Sequence, residues 1–399
     1  MNLKRKHAPC TPLALLFAAA VAILSAGCRH HTAADTGNTA IDTGSTAIDT
    51  VAFRYARLLH VEQHEGFRLV TIDNPWKPGK VLHRYALIPH DAENTDEIAE
   101  TNIKNVTILH TPLSRTIIFT SVHCALLSML GAENRVAGVA DLKYIKVPFV
   151  REGCRDGRLT DCGDGMNPVV EKIIDAGADA ILLSPFENSG GYGKVEEAGI
   201  PLVECAEYME QSPLARAEWM RFYGMLYGCE ERADSLFAVV DSSYHALCLL
   251  AADAGGRPSV IVDKQTGPVW YVPGGHSTIG RMLSDAAADY PFASDTHPGS
   301  LSLPFETVLE RAGDAHFWLF RYDSDSPMTL RRLLTEQQGY AQLRAVSDGK
   351  VYGCNVRTSF FYEETPFRPD FLLADFIAIL HPSLALSDST RYYLPLQPQ

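Results

Sequence analysis

The sequence predicts an α/β protein built from two similar lobes, and three observations lead there. Residues 171–184, EKIIDAGADAILLS, recur 135 positions later at 306–319 as ETVLERAGDAHFWL. Each copy opens on a Glu and carries an Asp-Ala pair eight residues on. Each also reads as a short helix with one apolar face (Ile173 and Ile174; Val308 and Leu309), a small-residue stop and an apolar run of strand length. The second observation is that strand and helix patterns alternate around both copies, which implies largely parallel sheets. The third is size: 399 residues, 46% hydrophobic and 21% charged, suffice for two substantial cores.

The chain opens with Lys4, Arg5 and Lys6, an apolar stretch from Leu13 to Leu24, and then Ser25-Ala26-Gly27-Cys28. That order reads as a secretory signal, because the apolar run is too short to span a bilayer comfortably. Small residues before a cysteine resemble the bacterial lipobox, in which Cys28 is lipidated and becomes the mature N-terminus. Ser25 departs from the pattern by standing where Leu is usual, and ordinary cleavage near Ala26 is the competing reading. Residues 29–50 hold the tandem TAIDTGSTAIDT, too polar to fold and therefore read as a tether. Next come FRLVTIDNPW and KVLHRYALIP, two strands joined by a Pro/Gly turn.

The α/β pattern then begins: TIIFT (116–120) as a strand, His123 to Leu130 as a helix stopped by Gly131, and RVAGVA (135–140) as a strand. After the first copy lie the glycines 190, 191 and 193, a helix near 194–198 and the strand PLVECA (201–206). Ser212-Pro213 starts a helix running to Tyr227-Gly228. A second helix over 230–251 would extend roughly 33 Å at 1.5 Å per residue, enough to bridge two lobes or to serve as a surface helix of one. SVIVD (259–263) opens the second half; Trp270 and Tyr271 end a strand, Gly274 and Gly275 make a turn, and a helix starts after Ser277 or Thr278. Helices at 328–336 and 369–380 and a strand at KVYG (350–353) complete it.

Charge and motifs exclude several functions. Formal net charge is −13, and loss of residues 1–27, with three cations and no acid, takes it to −16. Phosphate-backbone binding needs a basic face, so no nucleic-acid partner is expected. The glycine groups lack G-K-[ST] and G-x-G-x-x-G, there is no G-x-S-x-G elbow, and nothing sets a catalytic triad apart. Nine cysteines include no CxxC pair; Cys154 and Cys162 could close a small ring in an oxidising compartment, while Cys124, Cys205 and Cys248 read as buried hydrophobes. The fourteen histidines show no ligand spacing, so no metal site is predicted, although His123 and His276 could join one.

In order and spacing, Leu130-Gly131-Ala132, Gly138-Val139, N-P-x-x-E-K-I, A-D-A-I-L-L, Gly199-Ile200-Pro201 and Tyr271-Val272-Pro273-Gly274-Gly275 carry a resemblance. Over roughly 110–385 the chain resembles the periplasmic substrate-binding proteins of ABC importers for ferric siderophores, vitamin B12 and haem. The resemblance implies two Rossmann-like lobes with mainly parallel sheets joined by one long helix, a ligand in the cleft, and no enzymatic activity. The divisions expected are a signal peptide (1–27), a tether (28–52), a β-rich segment (53–100), an N-terminal lobe (101–229), a linking helix (230–255) and a C-terminal lobe (256–399). It further implies that Glu171 and Glu306 dock arginines of an ABC permease; plain helix capping is the competing reading.

Ligand contacts belong on loops at the strand ends that face the cleft. Those residues are Ser121, His123, Lys143, Tyr144, Phe186, Glu187 and Tyr192 in the first lobe. In the second they are Trp270, Tyr271, His276, Arg321, Tyr322, Arg357, Phe360, Phe361 and Tyr362. Aromatic faces suit a macrocycle or catecholate and arginines suit carboxylates. The resemblance implies an iron chelate, corrinoid or haem as cargo; no resident cofactor is expected, and the carrier is expected to be a monomer on the periplasmic face of a bacterial envelope, held through lipid on Cys28. A direct metal-ion binding protein of related architecture, or an envelope α/β enzyme, is the alternative.

Overall fold

The computed structural model describes residues 49–92, 103–187, 191–386 and 389–398. The predicted signal peptide, Cys28 and most of the tether lie outside these residues.

Strands β1 (Asp49–Val51), β2 (Leu59–Gln63), β3 (Arg68–Asp73), β4 (Val81–Pro89) and β5 (Val106–Thr111) form one sheet in sequence order. The first four are antiparallel and β5 is parallel to β4. Two boundaries differ from expectation. The sheet starts at Asp49, inside the predicted tether, and extends past residue 100, because β5 returns beside β4 by a crossover. Both faces are buried: Val61, Val70, Tyr85 and Leu109 join the main core, whereas Phe67, Leu69, Ala86 and Ile88 form a second cluster with Ile103. That two-sided burial explains near-continuous apolar runs such as YALIP.

The N-terminal lobe contains β6 (Thr116–Ile118), α1 (Ser121–Leu130), β7 (Val136–Val139), α2 (Pro148–Arg155) and β8 (Thr160–Asp161). It continues with the short β9 (Gly163–Asp164) and β10 (Asn167–Pro168), then α3 (Val170–Asp175), β11 (Ala180–Leu183), α4 (Lys194–Glu197), β12 (Leu202–Glu204), α5 (Pro213–Glu218) and α6 (Met220–Tyr227). Its sheet is parallel in the order β12-β11-β6-β7-β8. Thr120 caps α1 by accepting from the His123 N–H, and Gly131 ends it at φ 71°, a left-handed conformation suited to glycine. The helix predicted from Pro213 to Tyr227 is divided into α5 and α6 at Trp219. Two buried carboxylates fasten the β1–β5 sheet to this lobe. Glu218 accepts from the backbone N–H groups of Arg54, Tyr55 and Ala56 at 2.7–2.9 Å. Glu210 accepts from Arg57 and Leu58. A segment without a strand partner thus has its donors satisfied.

Helix α7 (Glu230–Ala252), 23 residues long, follows. It packs against α6 on one side and, on the other, against α13 (Pro369–Leu380) of the C-terminal lobe. Arg232 Nε donates to the Met129 carbonyl of α1 at 2.8 Å, and Tyr244 Oη donates to Asp285 of the other lobe at 2.7 Å. One helix is thereby held at both ends.

The C-terminal lobe has β13 (Val260–Val262), β14 (Gln265–Thr266), β15 (Val269–Pro273), α8 (Thr278–Asp285), β16 (Ser300–Leu303), α9 (Phe305–Ala312) and β17 (Phe317–Tyr322). After these come α10 (Leu330–Glu336), α11 (Arg344–Ser347), β18 (Val351–Asn355), α12 (Phe361–Glu364), α13 and β19 (Leu394–Pro395). Its main sheet runs β13-β17-β18-β19, the first three parallel, beside a small antiparallel sheet β14-β15-β16. The two repeat copies are α3 with β11 and α9 with β17, each strand an interior member of its sheet. The Gly274-Gly275 turn is dictated by crowding: a Cβ on Gly275 would lie 2.1 Å from the Ala293 carbonyl oxygen. The seven cysteines among the described residues are free thiols, so the ring considered for Cys154 and Cys162 is not formed.

Candidate ligand cleft

In parallel sheets the strand C-termini define the binding edge, and one concavity of about 410 Å³ lies there in the N-terminal lobe. Phe119 and Thr120 follow β6, Asp141 follows β7, Ser184 and Phe186 follow β11, and Tyr192 and Lys194 complete the wall. Gly191 (φ 148°) and Gly193 (φ 57°) flank Tyr192 in conformations that other residues rarely adopt. Phe186 is 47% exposed and meets Tyr192 edge to face at 6.3 Å. Behind the wall, Tyr192 Oη donates to Glu204 Oε1 at 2.5 Å. The other oxygen of Glu204 is 2.8 Å from His83 Nδ1, and His83 Nε2 is 2.7 Å from Thr107 Oγ1. The β1–β5 sheet therefore supports a cleft aromatic through a single carboxylate. Removing that acceptor in Glu204→Ala is expected to raise amide exchange across residues 191–195 by roughly tenfold or more, the scale of a charge-assisted bond. Exchange in β6 and β7 should not change; equal exchange across 191–195 would show that the bond does not hold the loop.

A smaller chamber of about 170 Å³ lies where the lobes meet. Val122 and Arg216 come from the first lobe, and Ile279, Arg321, Phe361 and Tyr362 from the second. Arg321 is held by Asp263 in a two-point pair at 2.8 and 2.6 Å, with its guanidinium 5.6 Å from the Phe361 ring and 5.9 Å from that of Tyr362. Burial opposes its charge, yet Asp263 keeps its pKa above the ordinary value. Lys146 crosses between the lobes: its Nζ donates to the carbonyls of Val356 (2.6 Å) and Ser359 and lies 3.3 Å from buried Glu363. Burial lifts the Glu363 carboxyl above its usual range, with Lys146 working in the other direction.

Several predicted contacts lie elsewhere. His123 is fully buried, its Nε2 3.1 Å from Glu207 and its Nδ1 2.7 Å from Thr120 Oγ1. Trp270 is also fully buried, donating to the Val262 carbonyl at 3.1 Å and packing on Trp318 and Tyr340, because alternation along β15 turns it inward and leaves Tyr271 exposed. Tyr271 and His276 are exposed but line neither concavity. Arg357 is committed to Asp323 and Asp325, and Phe360 lies beneath Lys146 at 5.6 Å. Ser121 opens α1, next to Thr120 and Val122 of the two walls, and Tyr144 is 67% exposed with Lys143 over its ring. Sequence reasoning missed Lys146, Arg216 and Glu204. No local pattern marks them: Lys146 and Glu204 meet partners distant in the chain, and the Nε of Arg216 meets no acceptor among the described residues.

His123, Cys205 and Glu207 place ligand-type atoms within 4.8 Å of one another, all buried. The pair fits an internal salt bridge. Burial disfavours the imidazolium, but Cys205 and Glu207 outweigh it and raise the His123 pKa to about 10. Burial likewise pushes Glu207 up, and His123 brings it below its usual value. A raised His pKa stabilises fully below the unfolded value of about 6.5 and fades as pH climbs to the folded value. The depressed Glu207 pKa stabilises above about 4.3 and is lost as pH falls. Urea unfolding is therefore expected to show the largest deficit for His123→Gln near pH 5–6, narrowing towards pH 10. A deficit independent of pH over that range would mean that the histidine acts by packing alone.

Residues 119–358, more than half of the chain, match the periplasmic binding protein family. The chain belongs to that family. The matched stretch begins after the β1–β5 sheet. An uncharacterized lipoprotein of Methanocaldococcus jannaschii is 27% identical over 301 residues, 73% of this chain and 70% of its own length. A second from the same organism is 22% identical over 86% of each chain. Among solved structures, a periplasmic haem-binding protein from Pseudomonas aeruginosa has a TM-score of 0.54 at 18% identity, covering 70% of this chain and 97% of its own. A TroA-like periplasmic binding protein from Veillonella parvula has a TM-score of 0.53 at 16% identity, covering 72% and 96%. At these identities the likeness concerns the fold: two α/β lobes in a solute-binding protein.

Proposed function

We propose that this periplasmic binding protein is the lipid-anchored component of an ABC importer, capturing an iron chelate, corrinoid or haem and delivering it to a permease. The observation that carries the reading is the aromatic lining of two concavities, one in the first lobe and one where the lobes meet. Phe186 and Tyr192 on one lobe and Arg321, Phe361 and Tyr362 on the other offer flat apolar surfaces and a fixed cation at the strand ends. The haem-binding name of one structural relative agrees with such cargo, and the lipoprotein names of the two sequence relatives agree with a lipid on Cys28. Glu171 and Glu306 are the permease contacts, the protein acts as a monomer without enzymatic activity or nucleic-acid partner, and its place is the outward face of the envelope membrane.

A direct metal-ion carrier is the second reading, favoured by the His123, Cys205 and Glu207 trio. Their burial and the existing His123–Glu207 bond weigh against it. Uptake of labelled ferric chelates, cobalamin and haem by a deletion strain distinguishes these. Loss of uptake of one of them, restored by the wild-type chain, is expected. Normal uptake of all three with loss of free metal-ion uptake would favour the second reading.

A further inference from the structure

The chamber between the lobes contains a cation with no partner. Arg216 on α5 is half-buried, its Nε is enclosed, and among the described residues no hydrogen-bond acceptor meets it. The other cations nearby are matched: Arg321 by Asp263, Lys146 by Glu363, and His123 by Glu207. Glu207 lies close enough to act on Arg216, but its oxygens accept from His123 and Tyr223. A guanidinium stays charged at any relevant pH, and leaving its Nε–H enclosed without an acceptor is costly. Two helix starts also open here. Val122 is in the first turn of α1 and Thr278 and Ile279 are in that of α8, and neither helix has an acidic residue in its first turn. Such N-termini favour anions. These features occur in a chain of net charge −13, where a half-buried arginine without an acceptor is the less expected sign.

We propose that this chamber is an oxyanion pocket, in which Arg216 grips a carboxylate or phosphate group carried by the cargo. The inference rests on the transport reading above and narrows its substrate class to anionic chelates. At about 170 Å³ the chamber has room for roughly five water-sized groups, enough for one such anion on a short stem. Val122, Ile279, Met282 and Leu372 supply an apolar lining for the stem, while the bulk of the cargo lies between the aromatic walls.

The test pairs each anionic probe with a neutral counterpart. Titration calorimetry would compare haem with haem dimethyl ester, and a ferric tris-catecholate with a neutral ferric tris-hydroxamate, on the wild type, Arg216→Gln and Arg216→Lys. The expected result is tenfold or greater preference for at least one anionic member. Arg216→Gln should remove roughly tenfold to hundredfold of that affinity while sparing the neutral member, and Arg216→Lys should retain part of it. No native bond of the Nε is lost, so the melting temperature of Arg216→Gln should match the wild type; if it does not fold, Arg216→Lys carries the comparison. Equal binding of both members with no effect of either variant overturns the oxyanion pocket and leaves the transport reading standing. Failure of the wild type to bind any of the four, or cobalamin, overturns the transport reading, and the pocket falls with it.

Discussion

Reversing both Glu171 and Glu306 to Lys is expected to abolish cargo uptake in cells while the purified protein binds its cargo within about twofold of wild type. Each glutamate is exposed in the first turn of its helix, α3 or α9, at equivalent points of the two repeat copies. No hydrogen bond or ion pair within the described residues occupies either carboxylate. A carboxylate at a helix start is favoured by the helix dipole and remains free for a two-point arginine partner. One site per lobe would let a permease sense both lobes together, so each single reversal should reduce uptake by roughly tenfold to hundredfold, the scale of one charge-assisted contact. Uptake of labelled chelate and calorimetry on the same variants check both halves of the statement. A collapse of affinity would place the glutamates in the cleft or the core instead.

The second large effect concerns Asp263. Its carboxylate takes two bonds from Arg321, which faces the chamber between Phe361 and Tyr362. Asp263→Ala leaves that guanidinium unpaired at a largely buried site and should cost about 3 kcal/mol, the low end for breaking a buried pair because both groups keep some contact with water. Asp263 also has φ 59°, a left-handed conformation that Asn tolerates and Ala resists. Asp263→Asn should therefore recover part of the loss. Urea denaturation of both variants measures this; equal stability of the wild type and Asp263→Ala would show that the pair contributes nothing net.

How much of this was legible in the sequence follows from how local each signal is. The repeat copies, the Ser277 cap and the 369–380 helix depend on neighbours a few residues away, and structure and sequence agree on them. Phe186 and Tyr192 could be placed because a strand end and a glycine-rich loop define where the sheet edge opens. Trp270 could not face the cleft together with Tyr271, and strict alternation along β15 would have separated them. His123 was misplaced because the third residue of a cleft-facing helix can turn to the core, and Glu207 waits there, 84 positions on. Lys146 and Arg216 carried no signal, since the acceptors of Lys146 are more than 200 residues distant and the meaning of Arg216 depends on what is missing around it. The β1–β5 sheet was cut short at residue 100 because parallel pairing across a crossover leaves no local mark.

The central claim is capture of a metal chelate or macrocycle in the cleft between the lobes. Purifying the protein from its native envelope, then recording its absorption spectrum and the mass of whatever is released on denaturation, tests this most directly. A siderophore, corrinoid or haem band, with a released species carrying a carboxylate or phosphate, is the predicted result. Repeated isolation without any such species, together with failure to bind all three when they are supplied, would contradict it.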